Sequence, residues 1–285
     1  MRILVTGANG VLGTDLVQQL SAHKLIALTQ DDLDITDRAA TMTIVNEHRP
    51  EVIINAAAFT NVDRCEDAID DAYKVNALGP RNLAIAASAV GASLVHVSTD
   101  YVFSGDQPDA RREYDETRPV SIYGKSKLAG EIAVRQHNAN HFIVRTAWLY
   151  GFAGNNFVTT MLRLARERGE VSVVDDQIGS PTYTVDLAKA IAHLLGTNAY
   201  GTYHLSNAGV CSWYEFAKAI FALSKLDVNV NPITSDQLTR KAKRPSYSVL
   251  DNQMWRLQGF AALRDYQEAL ADYLFLLQNQ KEVNV

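Results

Sequence analysis

Residues 1–13, Met-Arg-Ile-Leu-Val-Thr-Gly-Ala-Asn-Gly-Val-Leu-Gly, decide the fold class. Arg2 to Thr6 is a short apolar run rich in branched residues. It runs into glycines at 7, 10 and 13, and apolar residues with helical spacing follow at Val11, Leu12, Leu16, Val17 and Leu20. This reads as strand, tight turn, helix. Glycine permits the turn and lets a ligand approach the backbone closely. The helix start then offers free N–H groups and the positive end of its dipole to an anion. Gly7, Gly10 and Gly13, spaced G-x-x-G-x-x-G between a first strand and a helix, therefore predict a cradle for a dinucleotide pyrophosphate.

The same alternation continues outward. Leu25 to Thr29, Val52 to Asn55, Ser93 to Ser98 and His141 to Thr146 read as strands. Arg38 to His48, the alanine-rich stretch Ala68 to Val90, and Ser121 to Gln136 read as the helices between them. Strands separated by helices of this length imply crossover units and a parallel sheet. Strands buried on both faces are continuously apolar, as these are. The expected fold is α/β, a doubly wound parallel Rossmann sheet with a smaller, interleaved substrate-binding lobe. The expected division is a dinucleotide-binding domain over 1–150, with 171–205 packing back onto it, and a substrate-binding lobe from 151–170 and 206–285. In the second half Asn156 to Arg168, Val185 to Leu195, Trp213 to Leu223 and Tyr266 to Gln278 read as helices. Val171 to Val174 and Gly201 to Leu205 read as strands.

Composition narrows the function. With 47% hydrophobic and 21% charged residues the chain is neither disordered nor short of core. A net charge of −5 argues against a nucleic-acid binder. No apolar run approaches the roughly 18 residues that span a bilayer, and no targeting segment is expected. Two distant cysteines, Cys65 and Cys211, fit a reducing compartment. The expected location is the cytoplasm. His137 and His141 lack a third ligand, so no metal site is expected.

Tyr123 and Lys127, four apart in a helix, share one face. A nearby ammonium favours the phenolate and lowers a tyrosine's pKa, which makes Tyr123 a candidate proton donor. Lys127 also suits a nicotinamide ribose. Thr99 lies where the fourth strand ends, the edge at which open parallel sheets bind ligands, and its hydroxyl could meet a developing alkoxide. The second strand ends Thr29-Gln30-Asp31 without a cation, so NADH is expected to be usable.

These stretches resemble the extended short-chain dehydrogenase/reductase superfamily and, within it, the dTDP-4-dehydrorhamnose reductase family. The matching segments run in order through almost the whole chain: 5–13, 33–36, 55–63, Ser-Thr-Asp-Tyr-Val-Phe at 98–103, 123–131, 145–151, 155–157, Asp-Gln-Ile-Gly-Ser-Pro-Thr at 176–182, and 244–245. The resemblance implies that Gly10, Val11 and Leu12 wrap the cofactor pyrophosphate and that Asp34 and Ile35 contact the adenine. It implies that Ala57, Ala58, Phe59 and Val97 line the cofactor groove. Thr99, Tyr123 and Lys127 would form the catalytic trio, and Thr99, Asp100 and Trp148 would touch the sugar. The implied reaction is reduction of the C4 ketone of a dTDP-linked 6-deoxysugar by NADPH, with NADH accepted too. Its product, dTDP-L-rhamnose, feeds surface polysaccharide. The expected assembly is a monomer or homodimer.

Two other readings compete. A dehydratase or epimerase of the superfamily would keep a bound NAD; a dehydratase, which must eliminate water, would also need a further acid/base pair beside the threonine, and Asp100 is followed by Tyr101 rather than a glutamate. A non-catalytic regulatory subunit, like that of methionine adenosyltransferase, would not need Thr99, Tyr123 and Lys127 together. The basic run Arg240, Lys241, Lys243 and Arg244 either meets a diphosphate or is a solvated loop.

Overall fold

The computed structural model describes residues 1–283. Six strands form the main sheet: β1 (Arg2–Thr6), β2 (Lys24–Leu28), β3 (Val52–Asn55), β4 (Ser93–Thr99), β5 (His141–Thr146) and β6 (Gly201–His204). Their order is β6-β5-β4-β3-β1-β2, and every neighbouring pair is parallel. This is the expected doubly wound sheet. Its central strands are apolar throughout because alternate residues feed two cores. Ile3, Val5, Val52, Ile54, Val95, Phe142 and Val144 pack on one side, and Leu4, Ile53, Leu94 and Ile143 on the other.

Helix α1 (Val11–Gln19) covers the first side, and α2 (Arg38–His48), α3 (Gly79–Val90) and α4 (Ile122–His137) contribute to the second. A second lobe is built from α5 (Phe157–Arg168), α7 (Trp213–Leu223) and α8 (Tyr266–Val283). Its aromatic core includes Tyr150, Tyr183, Phe216 and Tyr273. Helix α6 (Thr184–Leu195) lies between them in sequence but packs on α1. The Thr184 hydroxyl donates to Asp15 at 2.5 Å, fixing that contact.

The expected return of 171–205 to the first domain needs correction. Helix α6 and strand β6 do join the first core. Glu170–Val174 does not: it pairs in parallel with Asn229–Ile233, and Val171 and Val173 enter the second core. The reason is in the pattern. Glu170 and Ser172 are exposed while Val171 and Val173 are buried, so this strand has one apolar face and cannot be covered on both. Conversely Trp255, placed with the second lobe, is buried in the first core.

The long helix expected over 68–90 is also interrupted. It becomes Ile69–Tyr73, a π-helical segment Lys74–Leu78, and α3. The interruption places Asn76 in the interior, where it matters for the site.

Candidate active site

Gly7 has φ +68°, and a Cβ there would sit 2.7 Å from the Ala57 nitrogen. Only glycine lets β1 turn this tightly against the residues after β3. Gly10 then caps α1 with no side-chain hydrogen bond, so the first N–H groups of the helix are free for an anion. This uncapped, cradled helix start fits a dinucleotide pyrophosphate. Val11 is half-buried and Leu12 buried beside it. A Cβ at Gly13 would lie 2.0 Å from the Gly7 carbonyl oxygen, so the third glycine closes the loop on itself.

The other groove residues divide. Ala57, Ala58, Phe59 and Val97 are half-buried along the sheet's carboxyl edge. Asp34 is exposed, and its carboxylate accepts from the Thr36 N–H. The Ile35 side chain is buried in the core against Gly79, so only its backbone could meet an adenine.

Asn76 organises this wall. Its Oδ1 accepts from the Phe59 N–H at 2.8 Å, and its Nδ2 donates to the Phe59 carbonyl at 3.1 Å and to Ser126 Oγ at 3.0 Å. The π segment thus ties the loop after β3 to α4. A buried asparagine in an alanine-rich helix was the available signal; its purpose depends on a partner 50 residues away.

Helix α4 starts at Ser121, whose hydroxyl accepts from the Gly124 N–H. The Ile122 N–H donates to Glu66. A Cβ at Gly124 would lie 2.1 Å from the Tyr101 carbonyl oxygen, so glycine allows the first turn of α4 to press on the 3₁₀ turn Asp100–Val102 after β4. Tyr123 is thereby set on the side of α4 that faces Thr99, close enough for the Thr99 hydroxyl to act on its phenol. The Tyr101 ring meets Tyr123 edge-on at 5.4 Å.

The electrostatics differ from the sequence expectation in one respect. Burial of the Tyr123 hydroxyl pushes its pKa up; Thr99 opposes this, and Asp100, Tyr101 and Cys65 add to it. Lys127 does not lower it: its ammonium donates to the Val97 carbonyl at 2.6 Å. Burial lowers Lys127 itself to about 8. Tyr123 is thus a firmly protonated phenol, which suits a donor to an alkoxide. Thr99 donates to Asp100 Oδ1 at 2.8 Å and accepts from the Tyr101 N–H. The other Asp100 oxygen has no hydrogen-bond partner although the residue is 2% exposed. Burial raises its carboxyl to about 6.

Trp148 sits just beyond β5 with φ +48°, a left-handed backbone unusual for a bulky residue. Its indole stacks on Trp213 with centroids 3.5 Å apart and planes at 8°, and it abuts Gly179. One face of the expected substrate residue is therefore occupied by a protein aromatic, a partner that sequence reading missed. The basic run is not a free loop. Arg244 and Arg240 lie 3.3 and 3.9 Å from Asp63, Lys241 lies 2.6 Å from Asp67, and the Ala242 N–H donates to Asp63. The run clasps the helix Val62–Asp67.

A family model described as the RmlD substrate binding domain matches residues 1–279. The chain belongs to this family. A dTDP-4-dehydrorhamnose reductase of Mycolicibacterium smegmatis is 47% identical over 277 residues, covering 95% of this chain and 84% of the relative. A crystal structure of a dTDP-4-dehydrorhamnose reductase from Clostridium acetobutylicum superposes with a TM-score of 0.96 at 49% identity. It covers 98% of this chain and 100% of that one. Another from Bacillus anthracis, in complex with NADP, superposes at 0.95 with 47% identity, covering 96% and 98%. Within the family's fold, the glycine cradle, Thr99, Tyr123 and Lys127 converge on one edge of the sheet. No helix among the described residues is long and apolar enough to cross a membrane.

Proposed function

We propose that this chain reduces the C4 ketone of dTDP-4-dehydro-6-deoxy-L-mannose to dTDP-L-rhamnose, with NADPH as reductant and NADH also accepted. The observation that carries the reading is the gathering of Thr99 at the end of β4, Tyr123 on the first turn of α4, Lys127 bonded to the Val97 carbonyl and the glycine cradle at the carboxyl edge of one parallel sheet. Two relatives of known structure at 47–49% identity carry the reductase name, one of them with NADP bound.

The bound nicotinamide would supply the hydride. The chain's own residues do the rest. The free N–H groups of α1 hold the pyrophosphate. Tyr123, kept protonated by burial, passes its proton to the ketone oxygen as charge develops there. Thr99 can offer that oxygen a hydrogen bond by releasing Asp100. Lys127, still largely an ammonium at neutral pH with its value near 8, would hold the nicotinamide ribose. Asp100 and one face of Trp148 would meet the sugar, and the lobe of α5, α7 and α8 would close over the nucleotide. No cation stands at the end of β2, so discrimination against NADH is expected to be weak. Two free, buried thiols, Cys65 and Cys211, suit the cytoplasm, where a monomer or homodimer would act.

The test is oxidation of NADPH and NADH with dTDP-4-dehydro-L-rhamnose, alongside GDP- and UDP-linked 4-ketosugars. Turnover restricted to the dTDP sugar is expected. Absence of turnover with it, or turnover without added reductant, overturns the reading.

A further inference from the structure

The basic run that clasps the helix Val62–Asp67 carries more hydrogen-bond donors than the clasp uses. A guanidinium presents several N–H donors in a planar fork. Arg244 Nη2 donates to Asp63 Oδ2 at 3.3 Å, its one hydrogen bond among the described residues. Its Nε is buried and has no partner. Arg240 Nη1 stands 3.9 Å from the same Asp63 oxygen, too far for a hydrogen bond. The other Asp63 oxygen accepts from the Ala242 N–H at 3.1 Å. Two arginines therefore share one half-engaged carboxylate. Burial and the charge of Arg244 push Arg240 down from its ordinary value, with Asp63 opposing. Lys241 differs: it meets both oxygens of Asp67, at 2.7 and 2.6 Å, as a one-to-one pair. A partly buried arginine pair with a single shared anion is short of negative charge, and an orphaned buried donor calls for a partner.

The pair stands on the rim of the site. Glu66, on the same helix as Asp63, accepts from the Ile122 N–H just before Tyr123. After Arg244 the chain crosses the loop beyond β4. A Cβ on Gly105 would lie 2.3 Å from Pro245 Cβ, and the Tyr247 N–H donates to the Gly105 carbonyl. The Ser246 carbonyl then accepts from the Ile178 N–H at 2.8 Å, beside the Gly179 that Trp148 abuts. The segment thus runs from the helix beside Tyr123 to the strand Ile178–Gly179 beside Trp148. Tyr101, whose ring meets Tyr123 edge-on, lies within range of both arginine charges.

We propose that Arg240 and Arg244 bind the diphosphate of the sugar nucleotide. The idea rests on the proposed reduction of a dTDP-linked sugar. A diphosphate supplies the anion the pair lacks and matches the guanidinium fork. Asp63 holds the two side chains at the rim and need not leave, because the free donors face no other partner. In a chain of net charge −5 the pair also gives an anionic substrate a local attraction. A purely structural clasp would steady the helix Val62–Asp67 without telling a diphosphate from a monophosphate.

The experiment reads that distinction without turnover. dTDP, dTMP and thymidine are titrated calorimetrically into the full chain saturated with NADP. The wild type should bind dTDP about tenfold or more tightly than dTMP. Arg240→Met and Arg244→Met should each weaken dTDP by about tenfold or more and dTMP by less, while thymidine and NADP stay within about twofold. Lys241→Met should leave every affinity within about twofold. Arg244→Lys keeps the charge without the fork, recovers part of the dTDP affinity, and replaces Arg244→Met should that variant fail to fold by circular dichroism. A dTDP preference that survives in Arg240→Met and in the folded Arg244 variant overturns the inference. So does a wild type that binds dTDP and dTMP alike, or a loss of NADP affinity in place of dTDP affinity. If the wild-type chain does not reduce the ketosugar while dTDP affinity still follows the two arginines, the reductase reading fails and the diphosphate site stands.

Discussion

The two sides of β4's final residues hold carboxylates that burial treats alike and the surroundings treat differently. Glu131 below and Asp100 at the mouth are 0% and 2% exposed. Burial opposes ionisation of both. At Glu131 the hydrogen bonds and charge of Arg145, with Ser98 and Arg135, overturn that cost and hold the carboxyl at about 2. At Asp100 the hydroxyl of Thr99 is the main relief, one oxygen has no partner, and the value rises to about 6. The underside is satisfied and rigid, whereas the mouth is left with unspent hydrogen-bonding capacity. A ligand can use the second kind of site; the first kind supports it.

If that division is right, the largest catalytic loss comes from the mouth at little cost in stability. Tyr123→Phe should lower kcat about 100- to 10,000-fold with dinucleotide affinity within a few-fold of wild type, read by steady-state kinetics and cofactor titration. Near wild-type turnover would remove Tyr123 as the donor.

The largest stability loss should come from the underside. Glu131→Gln strands the buried guanidinium of Arg145 and is expected to cost about 3–5 kcal/mol in urea unfolding. Asp100→Asn removes a desolvated, half-satisfied charge and should cost less than about 1 kcal/mol. Equal costs for the two variants would erase the distinction.

The pH dependence of stability gives the two carboxylates opposite signs. The folded Asp100 carboxyl lies above its ordinary value near 3.8, so the folded state holds the extra proton between about 4 and 6. Its contribution to stability therefore falls as pH rises through that window, by about 2–3 kcal/mol. The folded Glu131 carboxyl lies below its ordinary 4.5. Its stabilisation is complete above about 4.5 and is lost as pH falls towards 2. Unfolding curves across pH should flatten between 4 and 6 in Asp100→Asn, and on the acid side in Glu131→Gln.

Two smaller effects mark the limits of the mouth. Trp213→Ala, by freeing the Trp148 indole, should raise KM for the sugar nucleotide about tenfold, a little over 1 kcal/mol, within the range for one aromatic pair. Its kcat should change less. Asp67→Asn breaks only the exposed pair with Lys241 and should change stability by less than about 1 kcal/mol.

Much of the fold was readable because its signals are local. The glycine spacing, the continuously apolar strands and the helices between them depend on neighbours within a few residues. So did Thr99, Tyr123 and Lys127, since a turn of helix and a strand end can be placed from periodicity. The strand Glu170–Val174 was misassigned although its alternating burial was written in Val171 and Val173; the pattern gives the number of buried faces but not which partner covers them. The stacking of Trp148 on Trp213 joins residues 65 apart, and nothing near either one announces the other.

The chain's own order of residues settled a doubly wound sheet, a glycine cradle at its first turn and a phenol one helical turn from an ammonium, because backbone conformation and short-range spacing impose these. The protonation of those groups was settled by the folded interior. Whether Tyr123 is acidic or held up, and whether Lys127 keeps its charge, depends on the groups packed within a few ångströms of each. Those neighbours come from distant stretches of chain, and the desolvation they impose exists only once they are packed together.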